Sequence, residues 1–320
     1  MSTTPSSPWL VTTPQDDRNS PSVSAGVEYH RVLAGEDRRI LRGLLAIFLV
    51  AVGLVVFSLG TGALATLVDT RLGNDPQAYT PARHAASMIG LGLLLPWSML
   101  LQRWLYGVPG ASLHSVSSRF RFDLFGKALL VFGPAWLVVN TVAFFLPAEE
   151  VPWSQAELVA MFLLTILLTP LQTTGEEYGV RGLAFRVIGS WTRNARAGLV
   201  AGIVVTSVLF TLMHGSTDPY IITWYLTLFT CLAIITWRTG GLEIAVVLHA
   251  ILNTSSFLAA ILLRIDFGAA LGDRSAGVGS PSQLLPALAV LIITVIICWW
   301  TRRTGPVLTP ASGSRVSQHP

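Results

Sequence analysis

Eight runs of apolar residues, each close to the length a helix needs to cross a bilayer, limit what this chain can fold into. They cover approximately residues 40–68, 85–106, 124–146, 156–191, 195–214, 220–237, 242–263 and 284–300. A bilayer core offers no water to open backbone groups, so runs of this kind are helical. The expectation is an all-α polytopic membrane protein with eight transmembrane helices in one domain over residues 31–303. Composition points the same way: 52% of the residues are hydrophobic and 12% charged, with a mean hydropathy of +0.61. Soluble domains carry roughly 25% charged residues.

The flanks differ from this core. Residues 1–30 are rich in Ser, Thr and Pro and read as a disordered cytoplasmic tail, and 304–320 read as a second one. Cys231 and Cys298 lie inside apolar runs, as small buried hydrophobes do, and form no disulfide framework. Seventeen Lys and Arg residues fall on the side of the termini, and only Arg71, Arg83, Arg264 and Arg274 fall on the other. That asymmetry places both termini in the cytoplasm of a multi-pass protein of the cell membrane. It also explains the net charge of +4 without a nucleic-acid partner, because the basic residues sit at helix ends and form no patch.

Against this apolar background Gly175-Glu176-Glu177-Tyr178-Gly179-Val180-Arg181 stands out, with two carboxylates and a guanidinium inside the fourth run. Charges at membrane depth are costly and usually face a polar interior. The stretch 153–191 would be ~57 Å long as one straight helix, so a bend at Pro170 is expected. On a helix Glu177 and Arg181 are four residues apart and can pair. Glu176 is rotated by about 100° from Glu177 and escapes that pair, which leaves it to accept a proton as a general base or acid. A solvated cluster at the cytoplasmic interface is the plainer alternative.

Two later spans supply partners. Phe210 and His214 share a face at the end of the fifth span, where Phe210 reads as core and His214 as either a functional or a hydrogen-bonded interfacial residue. His249 and Asn253 share a face in the middle of the seventh, where both must find partners, for chemistry or for inter-helix hydrogen bonding. His214 lies toward the outer end of its span and Glu176 deeper. Their convergence therefore requires a tilted or shifted fifth helix, or a cavity reaching into the membrane. There is no phosphate-cradling loop, no CxxC pair and no His-Glu-x-x-His helix.

Taken together, Glu176-Glu177-x-x-x-Arg181, Phe210-x-x-x-His214 and His249-x-x-x-Asn253 resemble the EExxxR, FxxxH and HxxxN pattern of the CAAX-protease and bacteriocin-processing (CPBP) intramembrane peptidases. The motifs match in the same order on successive helices, over a core of about 156–263. The resemblance implies an endopeptidase of the type-II prenyl-protein class acting on a membrane-associated or lipidated peptide among lipids, with its site in the fourth, fifth and seventh spans. It implies that Glu176 activates water and His214 orients it. His249 and Asn253 would then stabilise the oxyanion, while Glu177, Arg181 and Phe210 support the site. Glu176, His214 and His249 are the candidate ligands should the site hold Zn²⁺; the metal-free glutamate mechanism is favoured because Asn253 is a poor zinc ligand. Two other readings stay open. A proton-coupled transporter would show substrate-dependent proton flux without cleavage. A non-catalytic interaction or immunity protein on the same scaffold would keep its function without Glu176 and His214.

Overall fold

The computed structural model describes residues 23–36, 39–76, 78–142, 153–265 and 274–310. Among them, eight helices are long and apolar enough to cross a membrane, matching the eight spans expected. The first is α1 (Ile40–Leu72); the second is α2 (Pro81–Gly92) followed by α3 (Leu94–Tyr106); the third is α4 (Phe122–Val142). The fourth is composite: α5 (Gln155–Glu177), a π-helical segment (Tyr178–Ala184) and α6 (Phe185–Gly189). The rest are α7 (Ala195–Met213), α8 (Pro219–Thr239), α9 (Glu243–Leu262) and α10 (Leu284–Trp300). The residues expected to carry the third span on to 146 lie outside the described residues.

Helix starts follow their side chains. Ser154 caps α5 in a reciprocal box with Glu157. Asp218 caps α8, accepting from the backbone N–H groups of Tyr220 and Ile221. Large apolar side chains such as Leu41, Leu59, Leu130 and Leu167 point outward, as lipid-facing residues do, while the interior holds two apolar clusters. One joins α4, α8, α9 and α10, with Phe210 of α7. The other joins α1, α3, α6 and the π segment with the N-terminal residues Tyr29, Val32 and Leu33. The fourth span belongs to the second through its π segment and α6.

Residues 23–30 and 304–310, within the two expected tails, are among the described ones. Tyr29 is wholly buried, and its hydroxyl donates to the Leu113 carbonyl. Thr309 fastens the two ends of the chain to each other, its N–H donating to the Val27 carbonyl and its hydroxyl to the Ser24 carbonyl. An aromatic side chain buried in the core therefore orders a segment whose composition alone reads as a tail. Glu243, at the start of α9, is buried and paired bidentately with Arg121 at 2.8 and 2.7 Å.

The fourth span sits closer to its neighbour than any side chain beyond hydrogen allows. A Cβ on Gly175 would lie 2.1 Å from the Leu91 carbonyl oxygen and 2.9 Å from Gly92 Cα. Small residues permit such backbone approach between membrane helices. Gly175→Ala is expected to cost about 1–3 kcal/mol and to push the adjacent Glu176 out of place. Thermal unfolding in detergent, read beside activity, checks this; a variant unchanged in both would contradict the close contact.

Candidate active site

The site grows from the junction of α5 and the π segment. Pro170 lies inside α5, and the hydroxyls of Thr173 and Thr174 donate to carbonyls in the preceding turn. The backbone changes just after Glu177, where the chain winds as a π-helix through two glycines, Gly179 and Gly182. Segments of this kind occur mostly where function needs an extra residue in the turn.

Glu177 is wholly buried behind the junction. Arg181 Nη1 lies 3.1 Å from its Oε1, as the spacing predicts, and His249 Nδ1 donates to the same oxygen at 2.7 Å. A carboxylate only accepts, so this contact assigns the His249 proton to Nδ1 and turns Nε2 toward Glu176, 3.6 Å from its Oε2. The Arg181 guanidinium sits between two rings, with Cζ 4.6 Å from the centre of Phe210 and 4.7 Å from that of Phe229. One carboxylate and two π faces thus compensate a charge shut away from solvent. Phe210 is core, as expected, and also a wall for that charge.

Glu176 has a different environment. Its Oε2 accepts from Gln172 Nε2 at 2.7 Å, and Gln172 Oε1 in turn accepts from Asn253 Nδ2 at 3.2 Å. Gln172 is the link that sequence reasoning passed over. Its signal was its position four residues before Glu176 on the same helix face, an amide at membrane depth. Asn253 reaches Glu176 only through it.

His214 approaches from the end of α7. Its Nδ1 is 2.7 Å from the Phe210 carbonyl. A carbonyl cannot donate, so Nδ1 carries the proton and Nε2 keeps a bare lone pair. The ring is held by Phe210, Tyr225 and Phe229, with centres 5.0, 4.3 and 5.1 Å away.

A cavity of about 330 Å³ brings Glu176 and His214 to one space, bounded on the far side by apolar residues of α1 and α3, among them Val50, Leu54 and Leu94. Of the two arrangements that could bring them together, the cavity reaching into the helices is present. All seven sequence-derived residues belong to one connected site, but they divide into two groups. Glu176, Phe210 and His214 line the cavity, whereas Glu177, Arg181, His249 and Asn253 stand behind it. Neither His249 nor Asn253, the residues expected to stabilise the oxyanion, lines the cavity: Asn253 gives one of its two amide N–H groups to Gln172, and His249 faces the carboxylates. No group of three His, Cys, Asp or Glu among the described residues is placed to hold a metal ion. Glu176, His214 and His249 do not form such a group, although each imidazole uses Nδ1 in a hydrogen bond and so leaves Nε2, the nitrogen a metal would take.

Residues 155–255 match the family described as Type II CAAX prenyl endopeptidase Rce1-like. Over those residues the chain is similar to that family. No curated protein and no solved structure matches the chain. The Rce1-like segment opens at the start of α5 and closes within α9, so it contains every motif residue and all of the π segment. The resemblance of the three motifs to CAAX-type intramembrane proteases thus holds over this stretch. The first three spans and α10 lie outside it.

Proposed function

We propose that this protein is an intramembrane endopeptidase that hydrolyses a peptide bond of a membrane-associated substrate by glutamate-activated attack of water. The observation that carries the reading is that Glu176 and His214 line one cavity, with Glu176 held in place by Gln172. The His214 lone pair at Nε2 accepts one hydrogen bond from the attacking water, and Glu176 takes the other proton. The water oxygen bonds to the substrate carbonyl carbon. Glu176 then returns the proton to the leaving nitrogen as the C–N bond breaks, releasing an amine and a carboxylic acid, which gives up its remaining proton to solvent. Glu177 and Arg181 keep His249 and the π turn fixed through both proton transfers.

The Lys and Arg distribution supports a cell-membrane protein with both termini cytoplasmic. On that orientation the end of the cavity near His214 and Arg274 faces away from the cytoplasm. The apolar far wall suits a substrate that arrives from the bilayer, lipidated or membrane-embedded.

Peptidomics of membranes holding matched amounts of wild-type protein and Glu176→Gln identifies substrates directly. A smaller effect checks the support of Glu176. Gln172→Leu removes its amide donor, and kcat is expected to fall roughly 10-fold with KM little changed, as one charge-assisted hydrogen bond implies. Unaltered kcat would show that the amide does not hold the base.

A further inference from the structure

One charged residue of the cavity has no part in the mechanism above. Arg274 lines the same space as Glu176 and His214, although it lies on the connection between α9 and α10, far from any motif. Its backbone is built into place. The Arg274 carbonyl accepts from both the N–H and the hydroxyl of Thr217, at 2.9 and 3.0 Å, only three residues beyond His214. Asp218 takes the N–H of Gly277 at 2.9 Å, so the residues capping α8 also clamp the turn that carries Arg274. Its side chain lines the cavity beside His214, whose ring packs on Tyr225. No ion pair joins Arg274 to a carboxylate among the described residues. Each site carboxylate is held by other groups, Glu177 by Arg181 and His249, and Glu176 by Gln172.

A guanidinium stays charged at any working pH, so it cannot exchange protons with the reacting groups. What it does well is grip a planar carboxylate through two parallel hydrogen bonds. In a cavity walled mostly by apolar side chains, a fixed cation beside the reacting carbonyl favours a substrate that brings the matching anion.

We propose that Arg274 is a specificity-determining residue that binds a carboxylate of the peptide substrate close to the scissile bond. The assignment rests on the peptidase reading above and adds the substrate chemistry to it. The carboxylate is either the free C-terminus of the peptide or an acidic side chain near the cut.

The test compares a peptide cleaved by the wild-type protein with two neutral analogues, one amidated at its C-terminus and one with Asp or Glu near the cut replaced by Asn or Gln. One analogue is expected to lose roughly 10- to 100-fold in kcat/KM, carried by KM, and which one it is names the source. Arg274→Gln brings the acid and that analogue to within about 2-fold of each other, and Arg274→Lys, a point charge without the fork, gives an intermediate ratio. Monodisperse elution in detergent certifies each variant, and the lysine variant carries the test if the glutamine variant fails to fold. Equal cleavage of acid and both analogues by the wild type, or an undiminished ratio in Arg274→Gln, overturns the assignment while leaving the peptidase reading standing. Rates that follow anionic-lipid content and not the peptide carboxylate overturn it in favour of a headgroup. Absence of any Glu176-dependent cleavage overturns both readings together, and so is a distinct result.

Discussion

Glu176→Gln is expected to lower kcat for any peptide the wild-type protein cleaves by roughly 10²- to 10⁴-fold, the range attributable to a positioned general base. The substitution keeps the shape of the side chain and its contact with Gln172, because an amide oxygen still accepts from Nε2. It removes only the capacity to take the water proton. Substrate affinity should therefore change little, so the loss belongs in kcat and not in KM. His214→Ala leaves the base in place and removes the second partner of the water, so its deficit should be similar in kind. Because both residues handle one water, the double variant should be little worse than Glu176→Gln alone. Additive losses would mean that the two act on separate steps.

The second large effect is on stability. Arg181→Ala leaves Glu177 wholly buried with only His249 as partner, and strips the cation from between Phe210 and Phe229. Removing one member of a buried ion pair costs about 3–5 kcal/mol, since the remaining charge stays desolvated. The variant should unfold at markedly lower temperature in detergent and should be inactive even where folded, as His249 loses its fixed carboxylate. The pair variant Glu177→Gln with Arg181→Met is expected to recover part of the stability but not the activity, because an uncharged pair removes the penalty without restoring the carboxylate that orients His249. Arg181→Ala with wild-type stability would mean that the ion pair is solvated in the protein as it exists.

The spans were legible because the bilayer imposes one rule on every apolar run, and that rule needs only length and hydropathy. The pairing of Glu177 with Arg181 was legible for a similar reason: four residues on one helix bring side chains together, and the π segment that begins at Tyr178 does not break the contact. Contacts between helices were not. That Asn253 would meet Gln172, and not the cavity, depends on how α9 rotates against α5, which no spacing within either helix encodes. Arg274 was counted with the charges that set orientation, and nothing in its neighbourhood distinguishes it. Its place in the cavity comes from Thr217 and Asp218, more than 50 residues away along the chain. The ordering of residues 23–31 was hidden by composition, since a Ser- and Pro-rich stretch gives no hint that Tyr29 will be buried among residues of the distant core.

The claim that everything else depends on is that a carboxylate sharing a cavity within the helices with His214 cuts peptide bonds. Comparative peptidomics of membranes with wild-type protein and with Glu176→Gln, at equal protein levels and equal thermal stability, measures that most directly. The account predicts a defined set of new peptide termini in the wild-type membranes that is absent from the variant. Identical termini in the two membranes would contradict it.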